Sequence, residues 1–114
     1  MRALLLAAAA GFLALPAFAA GKPDYVVKLD APLAKADRSV IAAGAVWACE
    51  GDTCTGKLTA KTPRPRDCAA LSEELGAVVV SFSTGERALD ADGLARCNTE
   101  VIEARARNAQ LATR

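Results

Sequence analysis

Four cysteines, Cys49, Cys54, Cys68 and Cys97, limit the folds open to this chain of 114 residues more than any other feature, and the chain has no histidine to accompany them. Four thiols can pair in three ways or hold a metal, and the redox compartment decides between these fates. The N-terminus sets the compartment. Arg2 precedes an apolar run from Ala3 to Phe18, which closes on Pro16-Ala17-Phe18-Ala19. One positive charge, an Ala/Leu/Phe stretch and small residues before a cut are the three parts of a secretory signal peptide. Signal peptidase accepts small side chains at the first and third positions before its cut, and Ala19 and Ala17 supply them. Cleavage is therefore expected after Ala19, because a cut after Ala20 would force Phe18 into the third pocket. The apolar run is shorter than the roughly 20 residues of a spanning helix, and Gly11 and Pro16 interrupt it. No stable membrane insertion is expected after cleavage. The expected address is the periplasm or the exterior.

Removing the first 19 of 114 residues leaves 95, enough for one domain and not two. Arg2 leaves with the signal, so 13 acidic residues face 13 of the 14 basic ones. A net charge near zero gives no electrostatic reason to expect nucleic acid as a partner. The aromatics that remain are Tyr25, Trp47 and Phe82, and alanine is abundant. Such a core is thin, and a domain of this size buries a small share of its surface.

Export makes two disulfides the natural use of the cysteines. Val46-Trp47-Ala48-Cys49 reads as a strand and Cys54-Thr55-Gly56-Lys57-Leu58 as its return, with Glu50-Gly51-Asp52-Thr53 as the turn. That spacing sets Cys49 opposite Cys54 across a hairpin, within disulfide reach. Cys68 and Cys97 then pair. In the chain-entropy picture the short loop is worth about 2 kcal/mol and the long one about 3.5 kcal/mol. A four-thiolate zinc site is disfavoured by the oxidising setting and the irregular spacing. A redox-active Cys49–Cys54 pair is the alternative functional reading. Against it, catalytic thiols favour a Cys-x-x-Cys at a helix start, and Glu50 and Asp52 would raise a thiol pKa here.

Along the chain, residues 20–39 read as a flexible N-terminal segment. It holds a short edge strand, Tyr25-Val26-Val27-Lys28-Leu29, and a charged connector from Lys35 to Ser39. Val40 to Cys49 is β-like, with Gly44 marking a bulge. Lys61-Thr62-Pro63-Arg64-Pro65-Arg66 reads as a loop, because prolines break helix interiors. Asp67 is the expected N-cap of a helix from Cys68 to Leu75, stopped by Gly76 in the left-handed conformation. Ala77 to Phe82 is apolar on nearly both faces and reads as a central strand. Asp90 is expected to cap a second helix from Ala91 to Cys97 that ends at Asn98, lying roughly antiparallel to the first. Residues 99–114 are helix-prone, with a weak stripe of Val101, Ile102, Ala106 and Ala109 that predicts fraying. Residues 40–98 form the stapled core. The fold class is α+β: one small domain with an antiparallel hairpin and a central strand packed with two or three short helices.

The lack of histidine removes Ser/His and Cys/His dyads and imidazole metal sites together. Glu73 and Glu74 point different ways on a helix. Asp90-Ala91-Asp92-Gly93 is similar to the end of a calcium loop, but Ala88 stands where the first Asp belongs and no closing Glu follows. Helix capping by Asp90 and a dipole contact from Asp92 account for the same residues. No catalytic residue, metal site or cofactor is expected. The residues singled out are structural: Trp47, Asp67, Gly76, Phe82 and Asp90.

One longer pattern joins these pieces. Ala45-Val46-Trp47 leads into Cys49-Glu50-Gly51-Asp52-Thr53-Cys54, followed by Arg64-Pro65, Cys68, Leu75-Gly76, Phe82 and Ala88-Leu89-Asp90-Ala91-Asp92-Gly93-Leu94-Ala95-Arg96-Cys97-Asn98. Over residues 40–98 this resembles an uncharacterised family of small exported four-cysteine proteins of Gram-negative bacteria. The resemblance implies the cysteine framework and no particular activity. The expected function is a non-catalytic binding or accessory domain, with an unidentified protein or small ligand as its partner.

Overall fold

The computed structural model describes residues 22–35 and 37–113. The expected signal peptide and its cleavage site at Ala19 lie outside these residues. The chain runs β1 (Asp24–Leu29), β2 (Asp37–Ala42), β3 (Ala45–Glu50), β4 (Thr53–Lys57), α1 (Pro65–Leu75), β5 (Val79–Thr84), β6 (Arg87–Ala88) and α2 (Ala91–Ala112). The strands form one antiparallel sheet in the order β2-β3-β4-β1-β5-β6, and two disulfides, Cys49–Cys54 and Cys68–Cys97, staple the domain. The α+β class is as the sequence indicates.

Period-two alternation builds the sheet. In β1, Tyr25, Val27 and Leu29 are buried while Asp24, Val26 and Lys28 are exposed. β1 lies inside the sheet between β4 and β5, not at the expected edge. Conversely β5, expected at the centre, is second from the edge and flanked outwardly by only the two residues of β6. Its Val80 is exposed, so its run of valines misread a one-sided strand as a two-sided one.

Gly44 does not make a bulge. Ala43 and Gly44 have φ of 53° and 73° and form a two-residue turn between β2 and β3, the type I′ pattern that suits the twist of a hairpin. β2 therefore starts at Asp37, inside what reads as a charged connector. The turn joining β3 and β4 shortens likewise to Gly51-Asp52, with Gly51 at φ 61° and Glu50 paired to Thr53.

α1 begins three residues before the expected start. Pro65 occupies the first helical turn, where its missing N–H costs nothing, and Arg64 is the cap residue, with no side-chain cap bond. Asp67 thus lies inside the first turn and is not the N-cap. Its buried carboxylate accepts a 2.7 Å hydrogen bond from Arg64 Nε. Gly76 ends the helix at φ 63°, ψ 31°. Asp90 caps α2 by accepting from Gly93 N at 2.7 Å. α2 does not stop at Asn98 but continues to Ala112; of the stripe expected beyond it, Val101 is buried and Ile102 exposed.

α1 and α2 run parallel rather than antiparallel. Cys68 joins Cys97, Ser72 meets Asn98, and Gly76 shares a hollow with Val101 and Ala104. The cause is β6: with only two residues it leaves the chain at the end where α1 begins, so α2 starts there too. Both helices pack on one face of the sheet. The core between the layers holds Tyr25, Trp47, Phe82, Leu71, Val27 and Val79, with all four cysteines.

Candidate functional site: the open face of the sheet

The helices cover one face only. On the other, antiparallel register aligns side chains into rows that cross the strands. The middle row is Ser39, Ala48, Thr55, Val26 and Ser83. All five are short, and at about 4.8 Å per strand they make a floor about 19 Å long. On one side runs the row Asp37, Glu50, Thr53, Lys28 and Ser81; on the other, Ile41 and Val46 form a cross-strand pair and Asp24 lies opposite Lys57. Two shallow hollows, of about 830 and 780 Å³, flank Thr55, which lines both.

The flanks are chemically mixed. Lys28 Nζ donates to Thr53 Oγ1 at 2.9 Å, and that hydroxyl donates to Asp52 Oδ1 at 3.1 Å. Lys57 and Asp24 are 3.5 Å apart and largely exposed, an arrangement worth under about 1 kcal/mol. Asp37 stands directly across from Glu50, and like charges in that position cost stability. Ile41 is 73 % and Val46 64 % exposed, the most exposed large apolar pair on the sheet. No described aromatic ring lies here: Tyr25, Trp47 and Phe82 are all buried. The face therefore lacks the stacking platform that sugars and unpaired bases use. What it offers is a slot with hydroxyls and small apolar groups in its floor and charges along its rim.

Of the residues singled out in the sequence, Trp47, Asp67, Phe82 and the four cysteines are buried on the opposite side of the sheet, while Gly76 and Asp90 sit exposed at helix ends. Trp47 is fully buried, donates from Nε1 to Ala42 O at 3.0 Å, and its ring lies 6.0 Å from that of Phe82. Tyr25 completes the cluster 5.3 Å from Phe82, and its hydroxyl donates to Ala60 O. Burial pushes the Tyr25 phenol up, the nearby Asp67 carboxylate adds to the shift, and Arg64 partly offsets it. Cys49 and Cys54 lie on this inner face, 3 % and 0 % exposed. Asp90 is engaged in its cap and Asp92 in an ion pair with Arg96. Among the described residues, no three of His, Cys, Asp and Glu converge to hold a metal ion, and no helix is long and apolar enough to cross a membrane.

Two structural positions escaped the sequence reading. Gly56 pairs with Trp47, and the indole lies over the space a side chain would fill. Asn98 is buried inside α2, its Oδ1 accepting from Val79 N and its Nδ2 donating to Val79 O, each at 2.8 Å. A glycine in a strand facing a tryptophan is a signal that could have been read. Nothing local to Asn98 marks its role.

The chain belongs to a family of unknown function, DUF8200, whose model matches residues 8–99. The match is wider than the 40–98 stretch that carried the resemblance in sequence, taking in β1 and all four cysteines, and it ends just past Asn98. No curated protein and no solved structure matches the chain.

Proposed function

We propose that this DUF8200 member is a non-catalytic binding or accessory domain working in the periplasm of a Gram-negative cell, or secreted from it, after cleavage following Ala19. The observation that carries this reading is the open face: a slot floored by Ser39, Ala48, Thr55, Val26 and Ser83, on a sheet whose other face is fully used by packing. Its floor and rim suit a segment of another protein, which can lay small apolar groups on the floor and hydrogen-bond to the hydroxyls. Nucleic acid is disfavoured by the neutral charge balance and by the buried aromatics. The Cys49–Cys54 redox alternative draws no support from the geometry, since an attacking thiolate needs access to a sulfur and both residues are buried. The lack of histidine and the engagement of Asp67, Asp90 and Asp92 support a non-catalytic role.

The test is site-specific photocrosslinking in the producing cell, with a photoreactive residue at Thr55 on the open face or at Glu100 on α2. Adducts from Thr55 alone are expected. Adducts from Glu100 alone, or none from either, overturn the reading. N-terminal sequencing of the product from the periplasmic or culture fraction should begin at Ala20.

A further inference from the structure

The two edges of the sheet are treated differently. On the β5 side the strand is flanked by β6 and, past its end, by the Asn98 side chain. Thr84 pairs with Arg87, Phe82 O accepts from Leu89 N, and Val79 offers both its N–H and its C=O to the Asn98 side chain. On the β2 side there is no partner strand among the described residues. Hydrogen-bonded and non-bonded pairs alternate along an antiparallel ladder, and the residues flanking a two-residue turn form a bonded pair. Ala42 and Ala45 flank such a turn, so Ala42, Val40 and Arg38 bond to β3, and the N–H and C=O of Asp37, Ser39 and Ile41 point outward. Six backbone groups stand along that edge.

We propose that this edge is a self-association surface: β2 pairs antiparallel with β2 of a second copy, about a two-fold axis at Ser39. The outward residues are spaced symmetrically around Ser39, so the pairing sets Asp37 against Ile41 of the copy, Ser39 against itself and Ile41 against Asp37. All six outward groups of each strand then find partners, whereas a shift of two residues satisfies fewer. The like-charged Asp37–Glu50 pair stays clear of its own image. Arg38, on the inner face, falls opposite Val40 of the copy, and its guanidinium is drawn toward Glu74 O, 3.5 Å away. Inward charges commonly guard an edge; this one is turned toward its own helix.

Two features fix the character of the dimer. About 20 Å of strand, with side chains about 10 Å across, buries on the order of 200–300 Å² per copy. A standard interface buries roughly 800 Å² per partner, so the pairing forms and dissolves with concentration. The register also carries the row Ser39–Ala48–Thr55–Val26–Ser83 straight into the second copy, which doubles the floor of the slot.

The experiment is sedimentation velocity on the mature domain from about 5 µM to 1 mM, for the wild type and three variants. The wild type should shift from monomer to dimer across that range. Ser39→Pro removes one outward N–H without touching the β2–β3 ladder, as edge prolines are tolerated there, and should leave a folded monomer. The register is read by charge: Ile41→Lys faces Asp37 of the copy and should tighten the dimer about 2–30-fold, while Ile41→Asp should loosen it by a similar factor. The pair keeps the test decisive if Ser39→Pro fails to fold. A monomer throughout the range overturns the proposal, and so does loosening by Ile41→Lys as well as Ile41→Asp, which would indicate apolar association without this register.

Discussion

Replacing Asn98 removes the side-chain link between the helix layer and the sheet. Val79 lies past the end of β6, where the outer edge of β5 has no strand beside it, and a helix side chain takes the strand's place. An amide can do this because it carries one donor and one acceptor, and Asn98 aligns both with Val79 at 2.8 Å. Asn98→Ala leaves two buried backbone groups unpaired, and each such group costs about 1–3 kcal/mol. Partial entry of water at an edge keeps the expected loss near the lower half of that sum, about 2–4 kcal/mol. In a domain of this size that lowers Tm by about 10–30 °C. The Val79 amide should lose its protection from hydrogen exchange. Asn98→Asp adds a sign. Its ionised carboxylate accepts from Val79 N–H but meets Val79 O with a negative charge, so burial raises its folded pKa above the unfolded value of about 3.9. A group raised in the fold adds stability that is complete below the unfolded pKa and is lost as pH rises through the folded one. Asn98→Asp should therefore approach wild-type stability near pH 4 and fall away from it toward pH 7. Circular dichroism melts at both pH values measure this. A loss below about 1 kcal/mol in Asn98→Ala with Val79 still protected, or a gap in Asn98→Asp that widens on acidification, refutes the reasoning.

Four further outcomes follow from the packing. Gly56→Ala places a Cβ 2.6 and 2.7 Å from two atoms of the Trp47 ring; overpacking of this kind should cost about 1–3 kcal/mol, with a shift in tryptophan emission. Ala43→Asn relieves a side chain held at φ 53° and completes an Asn-Gly turn, so denaturant melts should show a gain of about 0.5–1 kcal/mol. Because Tyr25 keeps its proton more tightly in the fold than in the unfolded chain, its contribution is complete below about pH 10 and lost as pH rises through the folded value. Alkaline melts should lose that decline in Tyr25→Phe. Cys68→Ala/Cys97→Ala opens a loop with sequence separation 29 and Cys49→Ala/Cys54→Ala one of 5; the first pair should cost about 3.5 kcal/mol and the second about 2 kcal/mol, and equal melts would refute the ranking.

What the sequence disclosed, it disclosed through local chemistry. The Cys49–Cys54 hairpin follows from turn length, and the Gly76 stop and Asp90 cap follow from backbone preferences that act within a few residues. The errors share a different origin. The Asp67 cap failed because Pro65 is as good a first helical residue as Asp67 is a cap, and local rules do not rank the two. Placing β1 at an edge failed because strand order is set by which neighbours complete the inner-face rows Arg38–Cys49–Cys54–Val27–Phe82 and Val40–Trp47–Gly56–Tyr25. No window of sequence contains such a row. Stopping α2 at Asn98 failed for the same reason: asparagine is a helix ender locally, and here its amide is occupied by a strand 19 residues away.

The open face was the least legible part, and the cause lies in how it is made. Its floor consists of serine, alanine, threonine and valine, residues that in sequence read as the solvent side of ordinary strands. Each strand contributes one short side chain, so the slot exists only after five strands are aligned in register. The conspicuous residues, Trp47, Phe82, Tyr25 and the cysteines, are all drawn to the other face because a thin, alanine-rich core needs every large side chain it has. A small domain that invests its few aromatics in stability is left with an open face built from shape, hydroxyls and rim charge, the surface proposed for binding. Selectivity on such a surface must come from the length over which a partner fits, since no single anchor dominates. A slot doubled by pairing through β2 would supply that length, which ties the binding role proposed for the open face to the edge that borders it.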